Sequence, residues 1–226
     1  MMVRYSRWRG LSIPLIAFAL AAASSAGAQL VVFNNFGPGD TYDTTTGLTE
    51  GVMGVIQGVQ FVPSASGKLD KIELALSLVQ GTNSALVYLV GDSSGQPDTG
   101  NVLEIWTTNS MGPIGSNNPL LVFPSVWHPM LSNGTPYWIY VDVTAHPATW
   151  AVWNWNTTGG MGNLATSFNY GWSWSVSPQT QGAFRVTVKG PAVPPGKAVP
   201  VPAAPVVSAI GAAVYGVCFF RKRRTA

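Results

Sequence analysis

The chain has 226 residues, and only 9% of them are charged, far fewer than the roughly one quarter that is usual in soluble proteins. Residues 29–190 contain all nine acidic residues but only four basic ones, which gives this segment a net charge of −5. A phosphate-binding surface needs clustered cations, so nucleic acid is excluded as a partner of this segment. The single cysteine, Cys218, excludes a disulfide framework and a cysteine metal site within the chain.

The first 28 residues have the pattern of a signal peptide. Arg4, Arg7 and Arg9 form a positive region, residues 11–23 are apolar, and Ala26, Gly27 and Ala28 are the small residues typical of a cleavage site. We expect a helical signal peptide over residues 1–28 that is cleaved after Ala28. The alternative is an uncleaved signal anchor.

Residues 29–190 show short β-rich runs separated by clusters of Gly, Pro and Asn, and no long period of 3.6 residues. Strands are predicted at 30–34, 55–62, 69–79, 84–91, 101–108, 120–127, 136–144, 149–156, 164–169 and 182–189. This number of strands in one domain predicts an all-β fold, a single antiparallel β-sandwich with jelly-roll-like topology.

Alternation is clearest in two of these strands. In 69–79, residues 72, 74 and 76 are expected to share one face. In the last strand, Phe184, Val186 and Val188 are expected to face inward, and Arg185, Thr187 and Lys189 outward.

The end of the chain has three consecutive parts. Residues 191–205 are rich in proline and predict a stiff linker. Residues 206–220 are apolar and predict a transmembrane anchor or sorting helix. Residues 221–226 begin with Arg221, Lys222, Arg223 and Arg224. Because four cations cross a bilayer at high cost, we expect them to remain cytoplasmic and residues 29–190 to lie outside the membrane.

Aromatic residues crowd the second half of the predicted domain and form the candidate ligand-binding set: Trp153, Trp155, Tyr170, Trp172 and Trp174. Trp153 and Trp155 would share one face of a strand. Exposed indole rings can stack on the C–H faces of sugars, and nearby Asn side chains can bind hydroxyl groups. The alternative is core packing, since each Trp buries a large area. We hypothesise a glycan-binding patch at Trp172 and Trp174.

Acidic residues in turns suggest a metal site. Asp40 and Asp43 lie in a Gly- and Pro-rich stretch near the expected mature start, and loop carboxylates are ligands that Ca²⁺ prefers. A structural Ca²⁺ at Asp40 and Asp43 is therefore a hypothesis, with solvated turn carboxylates as the alternative. No other cofactor is predicted.

Catalytic patterns are weak. His128 or His146 could join Asp142 and a serine, but no nucleophile-elbow motif is present. Glu50, Glu73 and Glu104 could supply a pair of glycosidase carboxylates, although we expect Glu73 and Glu104 to lie on a solvated strand face. The prediction is that the domain is not an enzyme.

Several motifs together resemble those of exported bacterial proteins. They are residues 35–43 (NFGPGDTYD), 60–64 (QFVPS), 81–84 (GTNS), the loop 92–97 and 150–155 (WAVWNW). The set is similar to choice-of-anchor domains, which commonly carry a PEP-CTERM sorting tail. In that tail Val199, Pro200 and Pro202 match the Val-Pro-Glu-Pro pattern, and Val201 stands where the family has Glu.

The resemblance implies a protein of the Gram-negative cell surface and exopolysaccharide matrix, with no established catalytic activity. It also implies exosortase as a processing partner, and a simple membrane anchor is the alternative. We therefore expect an exported, membrane-anchored or sorted protein that displays a binding or structural domain, with polysaccharide as a candidate ligand. The alternatives are a secreted carbohydrate-active enzyme of the glycoside hydrolase type and a self-associating structural surface protein.

Overall fold

The computed structural model describes residues 28–146 and 148–190. Of these residues, 60% are in strands and 4% in helices, so the described part is all-β, as the sequence predicted. Two short 3-10 turns cover Pro38–Asp40 and Val52–Gly54. The strands are β1 Gln29–Asn34, β2 Tyr42–Glu50, β3 Ile56–Phe61, β4 Gly67–Leu74, β5 Leu76–Gln80, β6 Ala85–Ser93, β7 Gln96–Thr108, β8 Gly112–Pro113, β9 Leu121–Pro124, β10 Met130–Leu131, β11 Tyr137–Val143, β12 Trp150–Asn156, β13 Met161–Ser167, β14 Ser175–Thr180 and β15 Phe184–Lys189.

The strands form three sheets. A five-stranded sheet has the order β1-β15-β4-β10, with β9 also paired to β4. A six-stranded sheet has the order β14-β13-β3-β11-β6-β7, and a four-stranded sheet has the order β2-β12-β5-β8. The pairings are antiparallel except for the short parallel contact between β5 and β8.

The run predicted as one strand over 69–79 is divided between two sheets. β4 ends at Leu74 in the five-stranded sheet, and β5 begins at Leu76 in the four-stranded sheet. The backbone of Ala75 joins them, since its N–H donates to Ala183 O at 3.2 Å and its carbonyl accepts from Asn154 N at 2.9 Å. The strand prediction was therefore wrong in treating this run as continuous. The two residues that flank the corner, Leu74 and Leu76, are both buried.

The main core is formed by apolar side chains from all three sheets. Phe184 stacks on Phe33 with ring centroids 4.5 Å apart, and Trp153 packs edge-on to Phe184 at 5.7 Å. Phe184, Val186 and Val188 face inward as predicted. Thr187 was expected to face solvent, but it is buried. Thr187 is paired with Val31 on one neighbouring strand and with Lys71 on the other. Side chains of directly paired residues lie on the same face of a sheet, so those of Val31 and Lys71 cover Thr187.

The six-stranded sheet carries apolar residues on both faces. On β11, Ile139 and Val141 belong to the main core, whereas Trp138 and Tyr140 belong to a second buried cluster. Because alternate residues of a strand point to opposite faces, this second cluster lies on the outer face of the sheet. Its other members include side chains from β3, β6, β13 and β14 and from the loop before β14: Ile56, Tyr88, Val90, Ala165, Val176 and Trp174.

Four predicted segments lie outside the described residues or at their edge. The signal peptide is described only at Ala28, and the linker 191–205, the apolar segment 206–220 and the basic tail 221–226 are not described. Within residues 28–146 and 148–190, no helix combines the length and hydropathy that a membrane span requires.

Candidate functional site

Two tyrosines form the floor of a cleft on the outer face of the six-stranded sheet. Tyr88 of β6 and Tyr140 of β11 are directly paired in the antiparallel register. Their rings stack with centroids 4.5 Å apart and an interplanar angle of 12°. The ring of Trp174 lies against Tyr140 at 5.5 Å. Burial raises the pKa of both phenols, so at neutral pH each hydroxyl keeps its proton and can donate a hydrogen bond.

The loop between β13 and β14, residues 168–174, is held in shape by its own polar side chains. Asn169 Oδ1 accepts from Ser173 N at 3.0 Å, and Asn169 Nδ2 donates to Ser173 Oγ at 2.9 Å. Gly171 N donates to Ser167 Oγ at 2.8 Å. Tyr170 and Gly171 both have positive φ, at 60° and 83°, which turns the chain sharply. We call this segment the aromatic loop.

Tyr170 packs the aromatic loop against His146, which follows β11, and against Gly54 of the second 3-10 turn. The ring of Tyr170 meets the imidazole of His146 edge-on, with centroids 5.2 Å apart. At Gly54, an added Cβ would lie 3.0 Å from Tyr170 Cζ, and φ is +77°. A side chain at position 54 would therefore displace the ring. These contacts leave Tyr170 59% exposed and Trp172 89% exposed.

Between the aromatic loop and the two tyrosines lies a cleft of about 410 Å³, which we call the aromatic cleft. Its lining combines aromatic rings with one carboxylate: Ile56, Tyr88, Thr99, Tyr140, Asp142, Tyr170, Gly171 and Trp172. Apolar walls with a few polar groups are typical of small-ligand sites.

Asp142 is held at the edge of the cleft by His146. Asp142 Oδ1 lies 2.6 Å from His146 Nε2, and His146 Nδ1 lies 3.0 Å from the carbonyl oxygen of Gly51. A carbonyl oxygen only accepts, so Nδ1 is placed to donate to Gly51 while Nε2 faces the carboxylate of Asp142. No described residue forms a hydrogen bond with the other carboxylate oxygen, Oδ2, and the side chain is 29% exposed.

Glu50 is buried close to this pair. Its Oε2 accepts from Gln57 N at 2.9 Å, and it is fully shielded from solvent. Burial raises the pKa of Glu50 well above its usual value, and the charge of Asp142 raises it further. Burial thus favours the uncharged form of Glu50 beside the aromatic cleft.

The structure separates the five aromatic residues that the sequence grouped together. Tyr170 and Trp172 line the aromatic cleft, and Trp174 supports Tyr140. Trp153 is completely buried and its Nε1 donates to Ala183 O at 3.0 Å, so the core-packing alternative applies to it. Trp155 is 36% exposed and forms a bridge with Gly182, away from the cleft lining.

Sequence reasoning missed the two floor tyrosines and considered Asp142 only as a partner of a catalytic histidine. The contact between Asp142 and His146 does form. Tyr88 and Tyr140 each come directly after an inward-facing residue of their strand. Since successive side chains of a strand point to opposite faces, this position indicated that both tyrosines face outward.

The predicted calcium ligands already have protein partners. Asp40 binds Arg185 at 2.7 Å, and Asp43 accepts hydrogen bonds from the backbone and hydroxyl groups of Thr45 and Thr46. Within the described ranges, no group of three or more His, Cys, Asp or Glu side chains could hold a metal. The calcium hypothesis stays a prediction, and an ion would have to displace these contacts.

The expectation that Glu73 and Glu104 are solvated was wrong, since both are buried. Glu73 binds Arg185 and Lys71. Glu104 lies under the loop 125–128, where it accepts hydrogen bonds from Ser125 Oγ, Val126 N and Trp127 N. Both glutamates are thus engaged in contacts that hold neighbouring strands and loops in place.

The sorting residues Val199, Pro200 and Pro202 and the basic residues Arg221, Lys222, Arg223 and Arg224 lie outside the described residues. No position is assigned to them.

No protein-family model matches the chain, and a comparison with curated proteins gives no match. Among solved structures, the chain is similar to one in the complex of the Aeromonas sobria serine protease and the chaperone, with a TM-score of 0.29 and 10% identity. The match covers 72% of this chain and 27% of that one. A TM-score this low supports no conclusion about fold or function.

Proposed function

We propose that the domain binds polysaccharide in the aromatic cleft. The observation that carries the proposal is the presentation of Trp172, which is 89% exposed on a loop braced by four polar side-chain and backbone contacts around Asn169 and Ser167. Exposed aromatic clusters are uncommon on monomeric proteins and mark binding surfaces. Because the loop is already ordered, binding would cost little conformational entropy.

The chemistry of the cleft suits a sugar. The ring faces of Trp172 and Tyr170 can pack against the C–H faces of a pyranose, and this packing removes apolar surface from water. The hydroxyl groups of Tyr88 and Tyr140 and the carboxylate of Asp142 are polar groups at the cleft that can pair with sugar hydroxyls. Rings and polar groups together would fix the orientation of one sugar unit.

A binding role fits the remaining carboxylates better than catalysis does. Glu73 forms ion pairs with Arg185 and Lys71, and Glu104 accepts hydrogen bonds from the loop 125–128. Glycoside hydrolysis by the usual route needs two carboxyl groups facing each other across the bond. We therefore propose a binding module and not an enzyme.

We further propose that the domain is a jelly-roll-like sandwich displayed at the cell surface. The sequence features that support this are the signal peptide 1–28, the linker 191–205, the apolar segment 206–220 and the basic tail 221–226. The resemblance to choice-of-anchor proteins with a PEP-CTERM tail adds exosortase as the processing partner. In this arrangement the tail tethers the protein, the linker spaces the domain from the membrane, and the aromatic cleft contacts matrix polysaccharide.

The test is affinity electrophoresis of the full chain, in mild detergent, through gels that contain soluble polysaccharides. Wild-type protein should be retarded by at least one polysaccharide, and Trp172→Ala should weaken that binding about tenfold or more, the scale of one well-placed ring. Trp127→Ala is the matched control, because Trp127 is also exposed, at 62%, but lies on the loop 125–128. Equal losses in the two variants, or unchanged binding in Trp172→Ala, would refute the proposal.

A further inference from the structure

We infer that the aromatic cleft selects uncharged sugar units and rejects anionic ones, and that Asp142 is the residue that determines this specificity. The inference rests on the proposed function and names the ligand class of that same site. It follows from the distribution of charge in the domain and from the geometry of Asp142.

The cations of the described domain lie in the five-stranded sheet. Lys68 and Lys71 are on β4, and Arg185 and Lys189 are on β15. Three of the four are engaged in ion pairs, Lys71 with Glu73, Arg185 with Asp40 and Glu73, and Lys189 with Asp70. The strands of the six-stranded sheet, which form the floor of the cleft, contain no Lys or Arg. That sheet carries the acidic residues Asp92, Asp98, Glu104 and Asp142.

An anionic sugar would therefore find no Lys or Arg side chain in the cleft lining to replace its hydration. Its carboxylate or sulfate would meet the negative faces of aromatic rings and an acceptor-only oxygen of Asp142. Removing a charged group from water without a partner is strongly unfavourable. The phenol hydroxyl groups of Tyr88 and Tyr140 could each donate one hydrogen bond, which does not offset that loss.

The contact with His146 at Oδ1 fixes the carboxylate of Asp142 and leaves Oδ2 free of hydrogen bonds from described residues. An oxygen in that position can accept from sugar hydroxyls, and hydrogen bonds to charged groups are stronger than those between neutral groups.

The experiment compares polysaccharides that share one backbone and differ in charge. Hydroxyethylcellulose and carboxymethylcellulose form one series, and dextran and dextran sulfate form another. The full chain is run against each in affinity electrophoresis at about 0.15 M and 0.5 M salt, because unspecific attraction between charges is screened at the higher salt. Asp142→Asn is compared with wild type, since it removes the charge and keeps the volume.

We expect wild-type protein to bind a neutral member at least tenfold more tightly than its anionic counterpart. In Asp142→Asn this ratio should fall at least fivefold, through weaker neutral binding and stronger anionic binding. Trp172→Ala should lower the binding of all members and preserve the ratio.

Equal or tighter binding of an anionic member at 0.5 M salt, abolished by Trp172→Ala, would overturn the inference and leave the proposed function standing. An unchanged ratio in Asp142→Asn would overturn the role of Asp142. Absence of Trp172-dependent binding across both series would count against the proposed function itself.

Discussion

Arg185 donates two parallel hydrogen bonds to Glu73, from Nε to Oε2 at 2.7 Å and from Nη2 to Oε1 at 3.0 Å. The two residues are paired across β15 and β4, so this fork ties together the two central strands of the five-stranded sheet. The outer end of the guanidinium also binds Asp40, which attaches the first 3-10 turn to the same sheet. The side chain of Arg185 thus joins the first 3-10 turn to the strands β4 and β15, which lie far from that turn in the sequence.

Replacing Glu73 with Ala should destabilise the fold by about 2 kcal/mol or more, because the half-buried guanidinium of Arg185 loses its bidentate partner and keeps only Asp40. The hydrogen bonds from Arg185 hold the pKa of Glu73 below its usual value. Urea unfolding at pH 7 measures the loss. Lys189→Ala is the control, since Lys189 is 47% exposed and Asp70 keeps a hydrogen bond from Gln29, so the loss should be less than about 1 kcal/mol. Equal effects of the two changes would contradict this account.

Asp43 should make stability fall in acid. Hydrogen bonds from Thr46 and Thr45 lower its pKa to about 2, from 3.8. A carboxyl group with a depressed pKa stabilises the fold above its unfolded value and loses that contribution as the pH falls through the folded value. The effect should therefore disappear between about pH 4 and pH 2. Asp43→Asn should cost about 1 kcal/mol at pH 7 and little at pH 2, as thermal melts across this range would show.

Glu50 should make the stability of the fold decrease as the pH rises. Its raised pKa means that the folded chain keeps a proton that the unfolded chain releases. That contribution is complete below pH 4.5 and is lost as the pH rises toward the folded pKa, with a limiting slope of about 1.4 kcal/mol per pH unit. Glu50→Gln should flatten this decline in urea unfolding from pH 5 to pH 9. Glu73→Gln is the control and should show the same decline as the wild type. If the free energy of unfolding of Glu50→Gln declined with pH as steeply as that of the wild type, the explanation would be refuted.

Gly182 is required because Trp153 lies against it. A Cβ at position 182 would approach Trp153 Nε1 to 2.6 Å, and the indole is locked in the core. Gly182→Ala should therefore destabilise the fold by about 2 kcal/mol, as overpacking of a core does. At Gly100 the nearest atom to an added Cβ is 3.4 Å away, so Gly100→Ala should change the free energy of unfolding by less than about 0.5 kcal/mol. Chemical denaturation of both variants tests the contrast.

Asn169 should control ligand binding through loop order. Asn169→Ala removes the contacts that hold Ser173 and the base of the aromatic loop. Because the loop is exposed, the change should shift the midpoint of unfolding little and weaken polysaccharide binding severalfold. Tryptophan fluorescence anisotropy should fall as the Trp172 ring gains motion. Tight binding by a variant with a mobile loop would show that pre-ordering is unnecessary.

The sequence by itself determined the all-β class, because alternating and β-branched runs between turn residues have one common explanation. It failed for strands whose side chains carry little apolar pattern. β2 is rich in Thr, and β14 contains Pro178, which is tolerated because β14 is an edge strand of the six-stranded sheet. The predicted loop over 92–97 is a tight turn at Ser94 and Gly95, and Pro97 again lies on an edge strand.

Only the tertiary structure decided which aromatic residues are available to a ligand. Their spacing placed Trp153 and Trp155 on one face of a strand. In the structure Trp153 is completely buried, whereas Trp155 is 36% exposed. Tyr88, Tyr140 and Asp142 reach the cleft from strands far apart in sequence, and Trp172 is brought above them by the loop that Asn169 holds. Local pattern specifies which face of a strand a residue occupies. What covers that face depends on how the sheets and loops pack, and this is a property of the whole chain.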